Sequence, residues 1–106
     1  MSTKWRRFEV LLPRQFNDGR EVPAEWISEA VLEIRDRFRG VSHETQIIEG
    51  HWGEGETFFR DNLQRIVVDV PDKKENRLWM KAFKARWKER LDQLEIWMVS
   101  YRIDIE

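Results

Sequence analysis

The feature that most narrows the fold of this chain is the order in which two hydrophobic periods follow one another along it. Trp5 to Leu12 alternates, with Phe8, Val10 and Leu12 set against Arg7, Glu9 and Leu11, the two-residue period of a half-buried strand. Pro13 ends that strand because proline gives nothing to a ladder, and Asn17-Asp18-Gly19 follows as a turn. From Pro23 to Arg39 the period becomes helical: Ile27, Ala30, Val31, Ile34 and Phe38 share one stripe, with Pro23 suited to the first position and Gly40 to the C-terminal cap.

The alternation then returns twice. A weaker strand from Val41 to Gly50 centres on Ile47 and Ile48, and a stronger one contains Ile66, Val68 and Val70. Gly50 to Glu56 lies between them and reads as a long glycine-rich hairpin loop. Asp72 and Glu75 have the spacing of a capping box, opening a second helix that runs to about Gln93 with Trp79, Met80, Phe83, Trp87 and Leu91 inward. The last stretch, Glu95 to Ile105, alternates again, with Trp97, Val99, Tyr101, Ile103 and Ile105 on one face.

The element order is therefore β-α-β-β-α-β. Each amphipathic helix must bury its stripe, and a four-stranded antiparallel sheet with both helices on one face does this. A right-handed crossover makes the first two strands parallel and lets the third slot between them, which is the ferredoxin-like sandwich. Residues 1–106 are expected to form a single domain, since one core suffices for a chain of 106 residues.

Composition removes several functions. There is no Cys, so thiolate metal sites, disulfides and cysteine nucleophiles are excluded. Charged residues make up 37% of the chain but the net charge is -1, which argues against the basic excess of nucleic-acid binders. Apolar runs are too short to span a membrane, and the charged N-terminus lacks the apolar run of a signal peptide; a cytoplasmic protein is expected.

The expected topology gathers three loops at one end, carrying Asn17, Asp18, His51, Trp52, Glu54 and Glu56. This is the expected ligand or partner surface. His51 has the chemistry of a general base or metal ligand, but an exposed loop histidine beside Trp52 is the simpler reading, because a metal needs three or four converging ligands. Gly50, Gly53 and Gly55 match neither a P-loop nor a dinucleotide fingerprint. No catalytic carboxylate pair, metal site or cofactor is expected.

On the open face of the sheet, the central strands offer Arg7, Glu9 and Leu11, then Arg65, Val67 and Asp69. None is an aromatic of the kind on which RNA bases stack, so nucleic-acid binding is the weaker alternative. Leu11, Val67, Ile96 and Met98 instead make an apolar centre with a charged rim, the composition of a protein contact. The expected function is a small interaction or regulatory module that homodimerises through this face, with the chain itself as partner.

Several segments carry a resemblance: Phe8 to Pro13 with Asn17 to Gly19, Glu49 to Trp52, Phe59 to Asp61, Val67 to Asp72, and Arg86 to Arg90 leading into Gln93 to Ile96. In these the chain resembles a set of small bacterial proteins of about this length with no assigned activity. The resemblance implies a free-standing protein. In length and element order the chain also looks like the small dimeric α/β-barrel monooxygenases, which implies, as an enzymatic alternative, a ligand held inside each protomer near Trp26, Trp79 or Trp87.

Overall fold

The structure, a computed structural model, describes residues 3–106. Its elements are β1 (Trp5–Pro13), α1 (Ala24–Phe38), β2 (Ser42–His43), β3 (Ile48–Glu54), β4 (Thr57–Pro71), α2 (Lys74–Arg90) and β5 (Met98–Ile103). The sheet runs β2-β4-β1-β5, and β3 also pairs with β4. Because β2 meets Val67 and Ile66 while β3 meets Leu63 to Thr57, these two short strands lie end to end along one edge of β4. They occupy the place of the single second strand expected from sequence, so the ferredoxin-like order is preserved.

The break at residues 44–47 falls where the expected strand had its apolar centre, and Ile47 is exposed there. Gln64, buried on β4, donates its side-chain amide to the Thr45 carbonyl at 2.9 Å and meets His43 Nε2 at 3.2 Å. A side chain thus takes over part of the ladder that the edge strand abandons, as buried polar groups require.

The even-numbered residues of β1 and β4 supply the sheet's half of the core: Phe8, Val10, Leu12, Ile66, Val68 and Val70. The helices add Ile27, Ala30 and Ile34, then Met80, Phe83 and Trp87. Aromatic contacts join the two helices, with Trp79 stacked on Phe83 at 5.7 Å and edge-on to Phe38 of α1 at 5.3 Å. The helices are further joined by Trp87 Nε1 donating to Glu33 at 3.1 Å and by ion pairs of Arg86 with Glu33 and Arg90 with Glu29.

Four local expectations are corrected. Pro23 stands at the N-cap of α1 rather than its first position, and Arg39, not Gly40, takes the left-handed C-cap at φ 69°. Asp72 makes no cap bond. Lys73 is the N-cap, and α2 stops at Arg90 instead of Gln93. The Asp72 carboxylate is turned inward, 2% exposed, and holds Arg6 at 3.0 Å, Arg77 at 2.6 Å and Arg102 at 3.0 Å. Three guanidiniums outcompete a helix cap as partners because their hydrogen bonds are charge-assisted.

Candidate functional site

The register of β5 decides which side chains face solvent across the sheet. Glu9 lies opposite Val99 and Arg7 opposite Tyr101, so Val99, Tyr101 and Ile103 share the open face with Trp5, Arg7, Glu9 and Leu11. Leu11 and Val67 are on that face, half-buried, as expected. Ile96 and Met98 are not. Ile96 is 2% exposed within the core, and Met98 packs against the core from the inner side. The sequence misleads here because the inward parity of β5 carries Ser100 and Arg102, which look like surface residues. Both have partners elsewhere in the fold: Ser100 accepts from Arg6 of β1 at 3.0 Å, and Arg102 reaches Asp72 at the junction of β4 and α2.

Charged side chains on the open face are paired rather than free. Arg7 grips Asp69 through two hydrogen bonds of 2.8 and 3.0 Å, which holds the guanidinium well above its ordinary pKa. Glu9 accepts from the Tyr101 hydroxyl and pairs with Arg65 at 3.2 Å, and Arg65 also meets Glu44 at 3.3 Å. The bond to Glu9, with some desolvation, pushes the Tyr101 phenol up. A tyrosine–carboxylate–arginine chain therefore crosses the face, with Leu11, Val67 and Val99 between its members. Sequence reasoning missed it because it depended on the β5 register.

The second part of the surface is an arm. Pairing of β1 with β4 ends at Pro13↔Leu63, with one more bond from the Arg14 N–H to the Asn62 carbonyl, so Thr57 to Asp61 pair with β3 alone. At about 3.3 Å per residue this hairpin stands roughly 20 Å clear of the body. Its turn is tight: Glu54 pairs with Thr57, and Gly55 takes φ 61° at the first turn position, where a type II′ hairpin needs glycine. His51, Trp52 and Glu54, expected in a loop, are therefore strand residues.

Every residue from His51 to Arg60 is exposed, including Phe58 at 82%. Trp52 stacks on Phe59 with ring centres 4.5 Å apart and donates its indole N–H to Asp61 at 2.6 Å. On the opposite face of the hairpin, Phe58 lies over Gly53, where a Cβ would sit 2.9 Å from the ring. His51 meets Glu49 at 2.7 Å and Arg60 meets the same carboxylate at 2.7 Å, which lowers the Glu49 pKa, the histidine bond contributing most. Alternation puts His51 and Trp52 on opposite faces of the arm.

The loop cluster expected from sequence divides accordingly. Asn17 donates to the Asp92 carbonyl at 2.8 Å and accepts from Gln93 at 3.4 Å, so the first and last of the three loops do meet. Asp18 is engaged locally, accepting from the Arg20 backbone at 3.0 Å and side chain at 2.6 Å. No hydrogen bond or ion pair among the described residues joins either one to His51, Trp52 or Glu54, because the arm carries these away from the body. Trp79 and Trp87 are packed between the helices. An open concavity of about 610 Å³ lies at the other end of the sheet, against Lys4, Trp5, Arg102 and Ile103. Among the described residues no three His, Asp or Glu side chains converge as a metal would require, and no helix is long and apolar enough to cross a membrane.

No protein-family model and no curated protein matches the sequence. Solved structures do share its architecture. A phage SAM lyase in complex with S-methyl-5'-thioadenosine superposes with a TM-score of 0.70 over 99% of this chain and 93% of that one, at 14% identity. A phage SAM lyase in the apo state gives 0.66 over 100% and 94%, at 15% identity. At such identities the likeness is one of fold: a two-helix, open-sheet α+β domain matched along nearly its whole length.

Proposed function

We propose that this chain is an interaction module that works as a homodimer joined across the open face of its sheet. The observation that carries this reading is the composition of that face. Leu11, Val67 and Val99 are half-buried aliphatics, and the charged residues among them are already neutralised by Arg7–Asp69 and Glu9–Arg65. Paired charges cost less to bury than free ones, and an apolar centre within a polar rim is the usual anatomy of a contact. Light scattering coupled to gel filtration, over a dilution series, tests it. A mass of two chains that falls to one on Val67→Lys supports the reading, and a single-chain mass for the wild type at every concentration ends it.

A second reading has its own support in the full-length likeness to SAM lyase. Here the chain binds an adenosyl sulfonium compound and acts on it at the open face, with the Tyr101–Glu9 pair as the polar group touching the ligand. Such a hydroxyl–carboxylate pair can hold or pass a proton. Incubation with SAM, followed by chromatography for S-methyl-5'-thioadenosine, tests this reading. Product that disappears on Tyr101→Phe, without change in oligomeric mass, supports it. No product, together with no heat of binding for SAM or S-methyl-5'-thioadenosine, removes it.

A further inference from the structure

We propose that the β3–β4 arm docks on the exposed face of α2 in a second copy of the chain, a contact separate from the open-face dimer and independent of it. The first ground is that the arm is unfinished as a structure. A lone two-stranded ribbon is marginal in water, and this one carries apolar aromatic surface on both faces, Trp52 and Phe59 on one and Phe58 on the other. Clusters of exposed aromatics on a projecting element are anchors for a partner.

The second ground is charge, which identifies that partner. Between residues 48 and 61 the arm has four carboxylates, Glu49, Glu54, Glu56 and Asp61, against Arg60. Helix α2 has the opposite balance, seven Lys and Arg against Glu75 and Glu89. Four of those cations are engaged within the chain, Arg77 with Asp72, Lys84 with Glu95, Arg86 with Glu33 and Arg90 with Glu29. Lys74 and Lys81 make no ion pair among the described residues, and they flank Leu78, 53% exposed, with Ala82 and Ala85 continuing the same exposed stripe. Among the described residues, the charges left without an ion pair on α2 are Lys74, Lys81 and Lys88 with Glu75 and Glu89, and at the tip of the arm they are Glu54 and Glu56. The acidic aromatic tip of the arm fits the patch where Lys74 and Lys81 flank the exposed Leu78, and both are present in every copy.

The two surfaces differ, so the contact is heterologous and propagates head to tail until a ring closes, or closes at once if two copies exchange arms. Complementary charge sets the register while Phe58 and Leu78 supply apolar burial.

Sedimentation velocity on the full chain tests the proposal. The wild type should sediment as an assembly that loosens with added salt. Glu54→Lys with Glu56→Lys should dissociate it, and so should Lys74→Glu with Lys81→Glu. An equimolar mixture of the two reversed proteins should associate again, because each then finds its complement. Phe58→Ser should weaken association by about tenfold or more, the scale of an interface anchor. An assembly that Val67→Lys disrupts but both charge reversals leave intact would overturn this docking and leave the open-face dimer standing. Monomeric wild type would overturn both, and failure of the mixture to re-associate would show that the arm and α2 are not each other's partners.

Discussion

Arg6 on β1 donates to Asp72 at 3.0 Å across 66 positions of sequence, so the first strand is fastened to the junction of β4 and α2 through one carboxylate. Arg77 and Arg102 bind the same group from α2 and β5. Together the three guanidiniums, Arg6 foremost, lower the Asp72 pKa to about 2 against the opposing effect of desolvation. A carboxyl whose folded pKa lies below its unfolded one stabilises the fold fully above the unfolded value and loses that contribution as pH falls through the folded one. Acid titration of the melting temperature should therefore show a fall between about pH 4 and about pH 2. Asp72→Asn should melt several degrees lower at neutral pH and lack most of that acid limb.

Ile96 separates the two readings of the chain after α2. If it belongs to the core, Ile96→Ala leaves a cavity and costs about 2–5 kcal/mol in urea unfolding. Its exposed neighbour gives the control, since Leu94→Ala should stay within about 0.5 kcal/mol of wild type. Equal effects at the two sites would contradict the inward placement of Ile96.

Trp52 holds the arm together from within, by its stack on Phe59 and its bond to Asp61. Trp52→Ala should leave the global unfolding midpoint nearly unchanged. It should speed amide hydrogen exchange between residues 48 and 61 about tenfold, since a stacked pair contributes about 0.5–1.5 kcal/mol. A large drop in the midpoint would mean that the arm folds as part of the core.

Arg39 closes α1 in a conformation that suits glycine, at φ 69°. Arg39→Gly should therefore stabilise the protein by about 1 kcal/mol in thermal melts. Gly55→Ala, at φ 61° in the arm's turn, should cost about as much, read as faster exchange in the arm. Gly40→Ala, at ordinary φ with open space around it, should be close to neutral.

Much of the fold was legible because β1, α1, β4 and α2 each carry a clean hydrophobic period. The errors cluster where a polar side chain does structural work. Asp72 resembles a helix cap, but its three arginines come from positions 6, 77 and 102, a convergence no local window contains. Ser100 and Arg102 made the inner face of β5 look like the outer one, which moved Ile96 and Met98 to the wrong side. Trp52 read as a loop residue because Gly50, Gly53 and Gly55 suggested a long turn. Only Gly55 turns the chain, while Gly53 leaves room for the Phe58 ring. Asn17 meets the Asp92 carbonyl because the chain segments after β1 and after α2 lie at the same end of the fold.

Strand β4 is one uninterrupted backbone from Thr57 to Pro71, flanked by neighbours on both sides around Leu63 to Val67 and held on one side only towards its two ends. Mechanically it is a cantilever built into the middle of the sheet. Its root lies where Arg14 N–H bonds the Asn62 carbonyl at 2.8 Å, and no loop intervenes to absorb movement. A load at the tip is carried as bending stress into Leu63, Gln64 and the adjoining end of β1. The backbone that presents Phe58 at the tip is the same strand that pairs Gln64 with Leu12 in the interior of the domain.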